Sequence, residues 1–295
     1  MREKRTLPGL FLAVCLTVFL LTSSAVSAFK IPKDIKSVIN VEYGKAGGQS
    51  LYLDLYSPKP KLEGKLPVIV IIHGGGWYQG DKSQHADVAC YLASCGYAVA
   101  SINYRFLTEA LFPACLNDCV SAVLWIKDNA DKYGFDASRL GLFGDSAGGH
   151  LVLMTAFAGD KFSTDKRSIK DSVKCVVAWY PVSDLTTFYY EKNRKLPPEL
   201  LGGFPLTMAD AYKAASPTFY VSKDIPPSLV FHGEDDAIVP IKQTETLDGL
   251  MKKAGADFTF IRVSKAGHGF TSAASSPAYG AILKTMTDFF DKNLK

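Results

Sequence analysis

The sequence has few cysteines, no block of like charge and no apolar run long enough to span a bilayer. Its 295 residues include 6 cysteines, 33 basic and 29 acidic residues, which give a formal net charge of +4. Basic pairs such as Lys166-Arg167 have acidic residues nearby, so we expect no nucleic-acid partner. With 47% hydrophobic and 21% charged residues, the chain is not a disordered tail, a collagen-like fibre or a disulfide miniprotein. The composition indicates a globular protein with a full core.

The N-terminus has the pattern of a secretory leader. Three basic residues among the first five precede an apolar stretch of 12 residues, Leu10–Leu21. Val26 and Ala28 are the small residues that signal peptidase takes at positions minus three and minus one. A membrane anchor is the alternative, but a span needs about 20 apolar residues. We therefore predict a signal peptide over 1–28, a secreted or periplasmic mature chain over 29–295, and no stable membrane insertion.

The cysteines beyond the leader are odd in number, so at least one is free or pairs between chains. Cys115 and Cys119 lie four residues apart on a predicted helix. Side chains at that spacing project in parallel, which suits a disulfide poorly. No further metal ligands are apparent nearby, and we expect buried free thiols. The five cysteines are Cys90, Cys95, Cys115, Cys119 and Cys175.

Short apolar runs alternate with helix-like segments along most of the chain. Residues 37–56 alternate in polarity on both sides of Ala46-Gly47-Gly48, which predicts an antiparallel hairpin. The alternation after it predicts an α/β fold with a mostly parallel sheet and helices on both faces. The predicted strands are Val68–Ile72, Tyr97–Ile102, Leu140–Phe143, Cys175–Trp179, Ser228–Phe231 and Phe258–Val263, and the predicted helices are Ser83–Cys95, Cys115–Lys132, Ala147–Phe157, Ile241–Ala254 and Ala278–Leu294.

Residues 184–217 interrupt this alternation. They are rich in tyrosine, proline and leucine. We predict that they form a cap-like insertion over the sheet. The mature chain is long enough to bury one large core, and we predict one domain over 29–295.

Polar side chains follow the predicted strands at their carboxyl ends. In an open α/β sheet, ligands bind in the crevice beyond these ends. The pattern therefore predicts an active site at one edge of the sheet. The residues placed there are His73, Asn103-Tyr104, Ser146, Tyr180, His232 through Asp236, and His268.

Ser146 is the candidate nucleophile. It lies in the segment Gly144–Gly149 (GDSAGG), which follows a predicted strand and opens a predicted helix. A tight turn between strand and helix needs small residues around the serine and holds its hydroxyl up at the sheet edge. An inert glycine-rich turn is the alternative, and the placement of the motif argues against it.

His268 is the candidate base, because a serine hydroxyl is a poor nucleophile until a base takes its proton. It follows the last predicted strand in the segment AGHGF. Of the other histidines, His73 and His232 end strands and are expected to orient loops. His150 is expected to pack or to make a local hydrogen bond, and His85 to lie on a solvated helix face.

The base needs a carboxylate to hold its tautomer and to stabilise the imidazolium. Asp236 is the candidate acid and Asp235 the reserve, both on the loop after the preceding strand. The oxyanion needs donors as well. The three glycines after His73 would let backbone N–H groups approach a substrate closely, and the N–H of Ala147 would complete the hole.

Together these motifs resemble the α/β-hydrolases of the esterase branch that includes hormone-sensitive-lipase-like carboxylesterases and bacterial acetyl-xylan and feruloyl esterases. The shared segments, which run from about residue 70 to 270, include His73–Trp77 (HGGGW), Gly144–Gly149 and His232–Pro240 (HGxxDxxVP). The HGxxD spacing selects Asp236 over Asp235. By this resemblance the nucleophile is Ser146, the base His268, the acid Asp236, and the oxyanion donors belong to Gly75, Gly76 and Ala147.

The chain departs from the lipase-like relatives at its front. Those relatives carry a helical cap before the HGGG motif, whereas this segment reads as a hairpin that contains Leu51–Tyr56. A hairpin at this place is closer to the polysaccharide-deacylating group, so we expect no large lid for long acyl chains.

The resemblance implies a serine carboxylic ester hydrolase that forms an acyl-enzyme without metal or cofactor. Short acyl esters are the expected substrates, and acetyl or feruloyl groups on plant polysaccharide are the candidates. An amidase or peptidase with the same triad, and a non-catalytic binding protein, remain as alternatives. Four aromatic residues could line the substrate pocket, although each could equally belong to the core: Trp77, Tyr104, Tyr180 and Phe270.

Overall fold

A central eight-stranded sheet organises the computed structural model, which describes residues 29–59, 63–191, 195–270 and 274–295. The strand order is β1-β2-β4-β3-β5-β6-β7-β8. The hairpin pairs antiparallel with β4, and every pair from β4 to β8 across the sheet is parallel. The strands are β1 (Ile35–Ala46), β2 (Gln49–Pro58), β3 (Leu66–Ile72), β4 (Ala98–Ile102), β5 (Phe135–Asp145), β6 (Val173–Trp179), β7 (Ser228–Gly233) and β8 (Phe258–Val263).

The predicted hairpin is confirmed, with a two-residue turn between β1 and β2. Gly47 and Gly48 both have positive φ, of +58° and +81°. Two successive positive φ values make a type I′ turn, whose twist matches that of the flanking strands. The glycine pair therefore sets the register of this edge of the sheet.

Helices cover both faces of the sheet, as predicted. α1 and α8 pack on the face that carries Ile69 and Ile71, while α2, α3 and α7 pack on the face that carries Val68 and Val70. α1 is shorter than predicted because residues 82–85 form a 3₁₀ turn before it. The helices are α1 (Ala86–Ser94), α2 (Ala114–Tyr133), α3 (Ser146–Phe162), α4 (Leu185–Glu191), α5 (Leu196–Leu201), α6 (Ala209–Ala214), α7 (Lys242–Ala254) and α8 (Tyr279–Leu294).

Residues 184–217, whose described part comprises 184–191 and 195–217, contain the three short helices α4, α5 and α6. Several hydrogen bonds join this segment to the rest of the fold, among them one from the loop before α2 and one from α3. Phe112 donates its N–H to the carbonyl of Leu200 at 2.9 Å. The ring of His150 on α3 donates to the carbonyl of Ala215 at 2.7 Å. The insertion is thus joined to the loop before α2 and to the helix that follows Ser146.

Residues 31–295 form one compact unit. The predicted signal peptide over 1–28 lies outside the described residues and stays a prediction. Within the described ranges, no helix combines the length and apolar character that a membrane crossing requires.

Two helical glycines give a matched test of the close packing at the start of α3. A Cβ added to Gly148 on α3 would lie 2.0 Å from the carbonyl oxygen of Ile72, whereas a Cβ on Gly249 of α7 would meet nothing within 4 Å. We expect Gly148→Ala to lower the free energy of unfolding by about 3 kcal/mol or more, because the overlap is with backbone. Gly249→Ala should raise it by about 0.5–1 kcal/mol. Urea unfolding of both variants checks this, and equal effects would contradict the packing argument.

Candidate active site

Ser146 stands at a strained turn between β5 and α3. Its φ is +52°, a left-handed value that a serine rarely adopts. The turn is closed by glycines, because a Cβ on Gly144 would lie 2.5 Å from the carbonyl oxygen of Gly148. Ser146 lines a cavity of about 350 Å³ at the carboxyl ends of the strands. The sequence thus builds the strand–turn–helix that presents a serine to an open site.

The imidazole of His268, on the loop after β8, is hydrogen-bonded to Asp236, on the loop after β7. Its Nδ1 donates to Oδ2 of Asp236 at 2.7 Å. Oδ1 of Asp236 accepts the N–H groups of Ile238 and Val239, each at 2.9 Å. Nε2 of the neutral His268 ring is then the nitrogen without a proton. His268 lines the same cavity as Ser146.

Asp236 is held ionised although its side chain is fully buried. Burial by itself would raise its pKa, but hydrogen bonds from His232 and His268 and the backbone N–H of Val239 hold the pKa well below its usual range. His232 has its own partners. Its Nε2 donates to the carbonyl of Val239 at 2.8 Å, and its Nδ1 accepts from the hydroxyl of Thr244 at 2.7 Å. It orients the acid loop, as expected.

The loop after β3 carries three consecutive residues with positive φ: Gly75, Gly76 and Trp77. A Cβ on Gly75 would lie 2.0 Å from the carbonyl oxygen of Gln79, so this turn requires glycine there. The three residues line the cavity, and so does Ala147 at the start of α3. The predicted oxyanion donors therefore border the same space as Ser146 and His268.

Of the four aromatic residues predicted to bind substrate, one lines the cavity and three pack elsewhere. Trp77 lines the cavity. Tyr104 stacks on His73 with ring centroids 4.6 Å apart and donates its hydroxyl to the His73 carbonyl. Tyr180 packs on His268 at 4.3 Å, and Phe270 packs on Tyr180 at 4.9 Å. Those three are buried and are not among the cavity-lining residues in the described part of the chain, which favours their packing role.

Several cavity-lining residues were not among the candidate site residues. Phe188 and Leu196 belong to the insertion, and Val182 to the segment just before it. Ile238 follows the acid and is exposed at 56%. Tyr78 adds an aromatic ring that is exposed at 44%. The predicted cap-like insertion over 184–217 indicated that this segment contributes to the site, but it did not specify which residues line the cavity.

The prediction that His85 lies on a solvated helix face is wrong. Only 12% of its side chain is exposed, and its Nε2 lies 2.7 Å from Oδ1 of Asp145. Burial disfavours the charged imidazolium, but Asp145 outweighs it and raises the pKa of His85. The same oxygen of Asp145 accepts the N–H of Gly74 at 2.7 Å. The partners lie 60 positions apart in the sequence, and His85 belongs to a 3₁₀ turn rather than to the predicted helix, so sequence patterns did not predict this contact.

His150 is a buried histidine on α3 that ties Trp77 to the insertion. Its Nδ1 accepts from the indole N–H of Trp77 at 3.1 Å, and its Nε2 donates to the carbonyl of Ala215 at 2.7 Å. Burial lowers the pKa of His150 to about 4. The ring is therefore neutral at pH 7, and it connects the cavity wall to the inserted helices.

Comparison with known proteins matches the chain to a family model. The model BD-FAE aligns with residues 53–251, which include the glycine loop, the serine turn and the acid loop. The chain belongs to the BD-FAE family. Its architecture is the α/β-hydrolase fold of the carboxylesterase branch, as the motifs predicted.

Two solved structures and one curated protein are similar to this BD-FAE chain. A truncated carbohydrate esterase from gut microbiota is 29% identical, with a TM-score of 0.76 over 88% of this chain and 96% of that one. The propionate-bound esterase Est2 of Thermogutta terrifontis is 25% identical, with a TM-score of 0.73 over 88% and 94%. Esterase LipQ of Mycobacterium tuberculosis is 28% identical over 80% of this chain and 58% of LipQ. The chain spans about three fifths of the length of the first curated relatives it matches.

His150 predicts a pH dependence of stability. An unfolded histidine binds a proton below about pH 6.5, whereas folded His150 does so only near pH 4, so protonation favours the unfolded chain between these values. Lowering the pH from 7 to 4 should remove about 3 kcal/mol of stability through this residue. Urea unfolding at several pH values between 7 and 4 should show that the free energy of unfolding falls less in His150→Gln than in the natural chain. Parallel curves for the two proteins would contradict the assignment.

Proposed function

We propose that this protein is a serine carboxylic ester hydrolase, with Ser146 as nucleophile, His268 as base and Asp236 as orienting acid. The observation that carries the proposal is the buried Asp236–His268 hydrogen bond of 2.7 Å beside a cavity shared with Ser146. Acyl transfer needs these groups at one place. The printed names of the similar proteins, an esterase and a carbohydrate esterase among them, support the same reading.

The chemistry proceeds through an acyl-enzyme. His268 Nε2 takes the proton of the Ser146 hydroxyl as the oxygen attacks the ester carbonyl. The N–H groups of Gly75, Gly76 and Ala147 stabilise the oxyanion, and the imidazolium gives its proton to the departing alcohol. His268 then deprotonates a water molecule that attacks the acyl carbonyl, and the ring returns the proton to Ser146 Oγ as the bond from Oγ to the acyl carbon breaks and the acid leaves. Asp236 keeps the ring in the tautomer that leaves Nε2 free.

Small acyl groups are the substrates that fit this cavity best. A Cβ placed on Gly76 would lie 2.9 Å from Cε1 of Tyr78 and 3.0 Å from Cδ1 of Leu196. The two side chains therefore converge directly on the oxyanion loop and restrict the space beside it. Acetyl esters fit such a space. Acetyl groups on plant polysaccharide are the proposed natural substrates, with the bulkier feruloyl group as the alternative, and the carbohydrate esterases among the similar structures support esters of that class.

Substitutions of the neighbouring aspartates Asp235 and Asp236 test the assignment of Asp236 as the acid. Asp236→Asn should lower kcat for p-nitrophenyl acetate by about 10³–10⁴-fold, because the ring loses the carboxylate that orients it. Asp235 is exposed, and Asp235→Asn should keep kcat within about twofold. Ser146→Ala supplies the background rate. Turnover that survives in Ser146→Ala would overturn the serine mechanism, and an equal loss in both aspartate variants would overturn the choice of acid. Hydrolysis of p-nitroanilides rather than esters would favour the amidase.

We predict that Leu196 limits the length of the acyl chain that the cavity accepts. Leu196→Ala should raise the ratio of kcat/KM for p-nitrophenyl octanoate over acetate by about tenfold, because removing the isobutyl group opens the wall beside Gly76. Leu206 belongs to the same insertion and is exposed at 90%, so Leu206→Ala is the matched control and should leave the ratio unchanged. A ratio that moves equally in both variants, or in neither, would contradict the proposed wall.

A further inference from the structure

A second histidine–carboxylate pair has its carboxylate next to Ser146 in the chain. Asp145 precedes Ser146 in the chain, is buried, and lines the same cavity. Its Oδ1 accepts two hydrogen bonds of 2.7 Å, one from the N–H of Gly74 and one from Nε2 of His85. The catalytic steps derived above use none of these groups.

Asp145 connects the two parts of the site that must act together on the substrate carbonyl. One end of the connection is the turn that presents Ser146, and the other is the first glycine of the oxyanion loop. The fit is tight, because a Cβ on Gly74 would lie 2.6 Å from Oδ2 of Asp145. Because the N–H of Gly74 is hydrogen-bonded to Asp145, the Gly74 peptide is held in one orientation. This orientation in turn constrains the directions of the N–H groups of Gly75 and Gly76.

A buried carboxylate at this place carries an electrostatic cost. Negative charge develops on the substrate oxygen in the transition state, and a carboxylate beside it opposes that charge in a medium of low dielectric. His85 offsets this cost if it is protonated. The charged and titratable groups that face it are Asp145, Asp87 on α1 and His73 after β3, of which the two carboxylates raise its pKa. Its ring also packs edge-on against Phe143 and Trp179.

We propose that His85 is a positioning residue, whose imidazolium neutralises Asp145 and keeps its carboxylate bonded to Gly74 of the oxyanion loop. This inference rests on the proposed esterase function. His85 itself touches no reacting atom. It acts through Asp145 on the orientation and the electrostatics of the oxyanion hole, so its loss should affect the transition state rather than substrate binding.

The kinetic test uses a charge removal and its rescue. His85→Gln keeps a hydrogen-bond donor but leaves Asp145 unneutralised, and it should lower kcat for p-nitrophenyl acetate about 10- to 100-fold with KM within about threefold. In the double variant His85→Gln/Asp145→Asn, the amide can accept from Gly74 and donate to the glutamine without any charge. It should recover kcat to within about fivefold of the natural chain. Asp210→Asn removes an exposed carboxylate on α6 that is not among the groups facing His85, so it is the control and should stay within about twofold.

Two results would overturn the proposal. One is a His85→Gln chain whose kcat stays within twofold of the natural value. The other is a double variant that falls as far as the single variant, since shape rather than charge would then govern the effect.

An activity-free measurement separates this proposal from the esterase function. In the Ser146→Ala chain, ¹⁵N NMR of the imidazoles should show a His85 pKa above its ordinary value, and Asp145→Asn should lower it. If the natural chain hydrolyses no ester while the NMR shift appears, the proposed function fails and the pair stands. If esters are hydrolysed and the shift is missing, the pair fails alone.

Discussion

The contact between the helix that follows Ser146 and the end of β3 is the constraint on which the rest of the site depends. Gly148 lies so close to the carbonyl oxygens of Ile72 and His73 that any side chain would overlap them. This contact fixes the serine turn against the strand that leads into the oxyanion loop. Because both lie at the carboxyl edge of one parallel sheet, Ser146 and the proposed oxyanion donors are held by backbone contacts rather than by long side chains.

Two histidine–carboxylate pairs are built onto this frame. Asp236 and His268 come from the loops after β7 and β8, while Asp145 and His85 come from the serine turn and from the 3₁₀ turn before α1. Hydrogen bonds and ion pairing keep the pKa of each carboxylate below its usual range despite burial. A buried charge is tolerable only when it is paired and hydrogen-bonded, so each pair also stabilises the loops that carry it.

Much of this arrangement was predictable from local sequence, and the exceptions have a common cause. Gly47-Gly48 predicted the hairpin, and GDSAGG predicted the turn, because each states a backbone requirement within a few residues. The HGxxD spacing placed Asp236 correctly beside His268. The environments of His85 and of Tyr104, Tyr180 and Phe270 were not predictable in this way. Whether such a side chain reaches the cavity or packs behind it depends on elements that meet only in the folded chain.

Different segments of the chain supply part of the cavity wall and the Asp236–His268 pair, and this separation affects how such a protein can evolve. Phe188 and Leu196 supply part of the cavity wall, whereas the hydrogen bonds to Asp236 and His268 described above come from the loops after β7 and β8. This part of the wall and the proposed acid and base are therefore encoded in separate stretches of the gene. Mutation can reshape the recognition surface while the acid and the base keep their partners, so new substrate preferences are accessible without passing through an inactive intermediate.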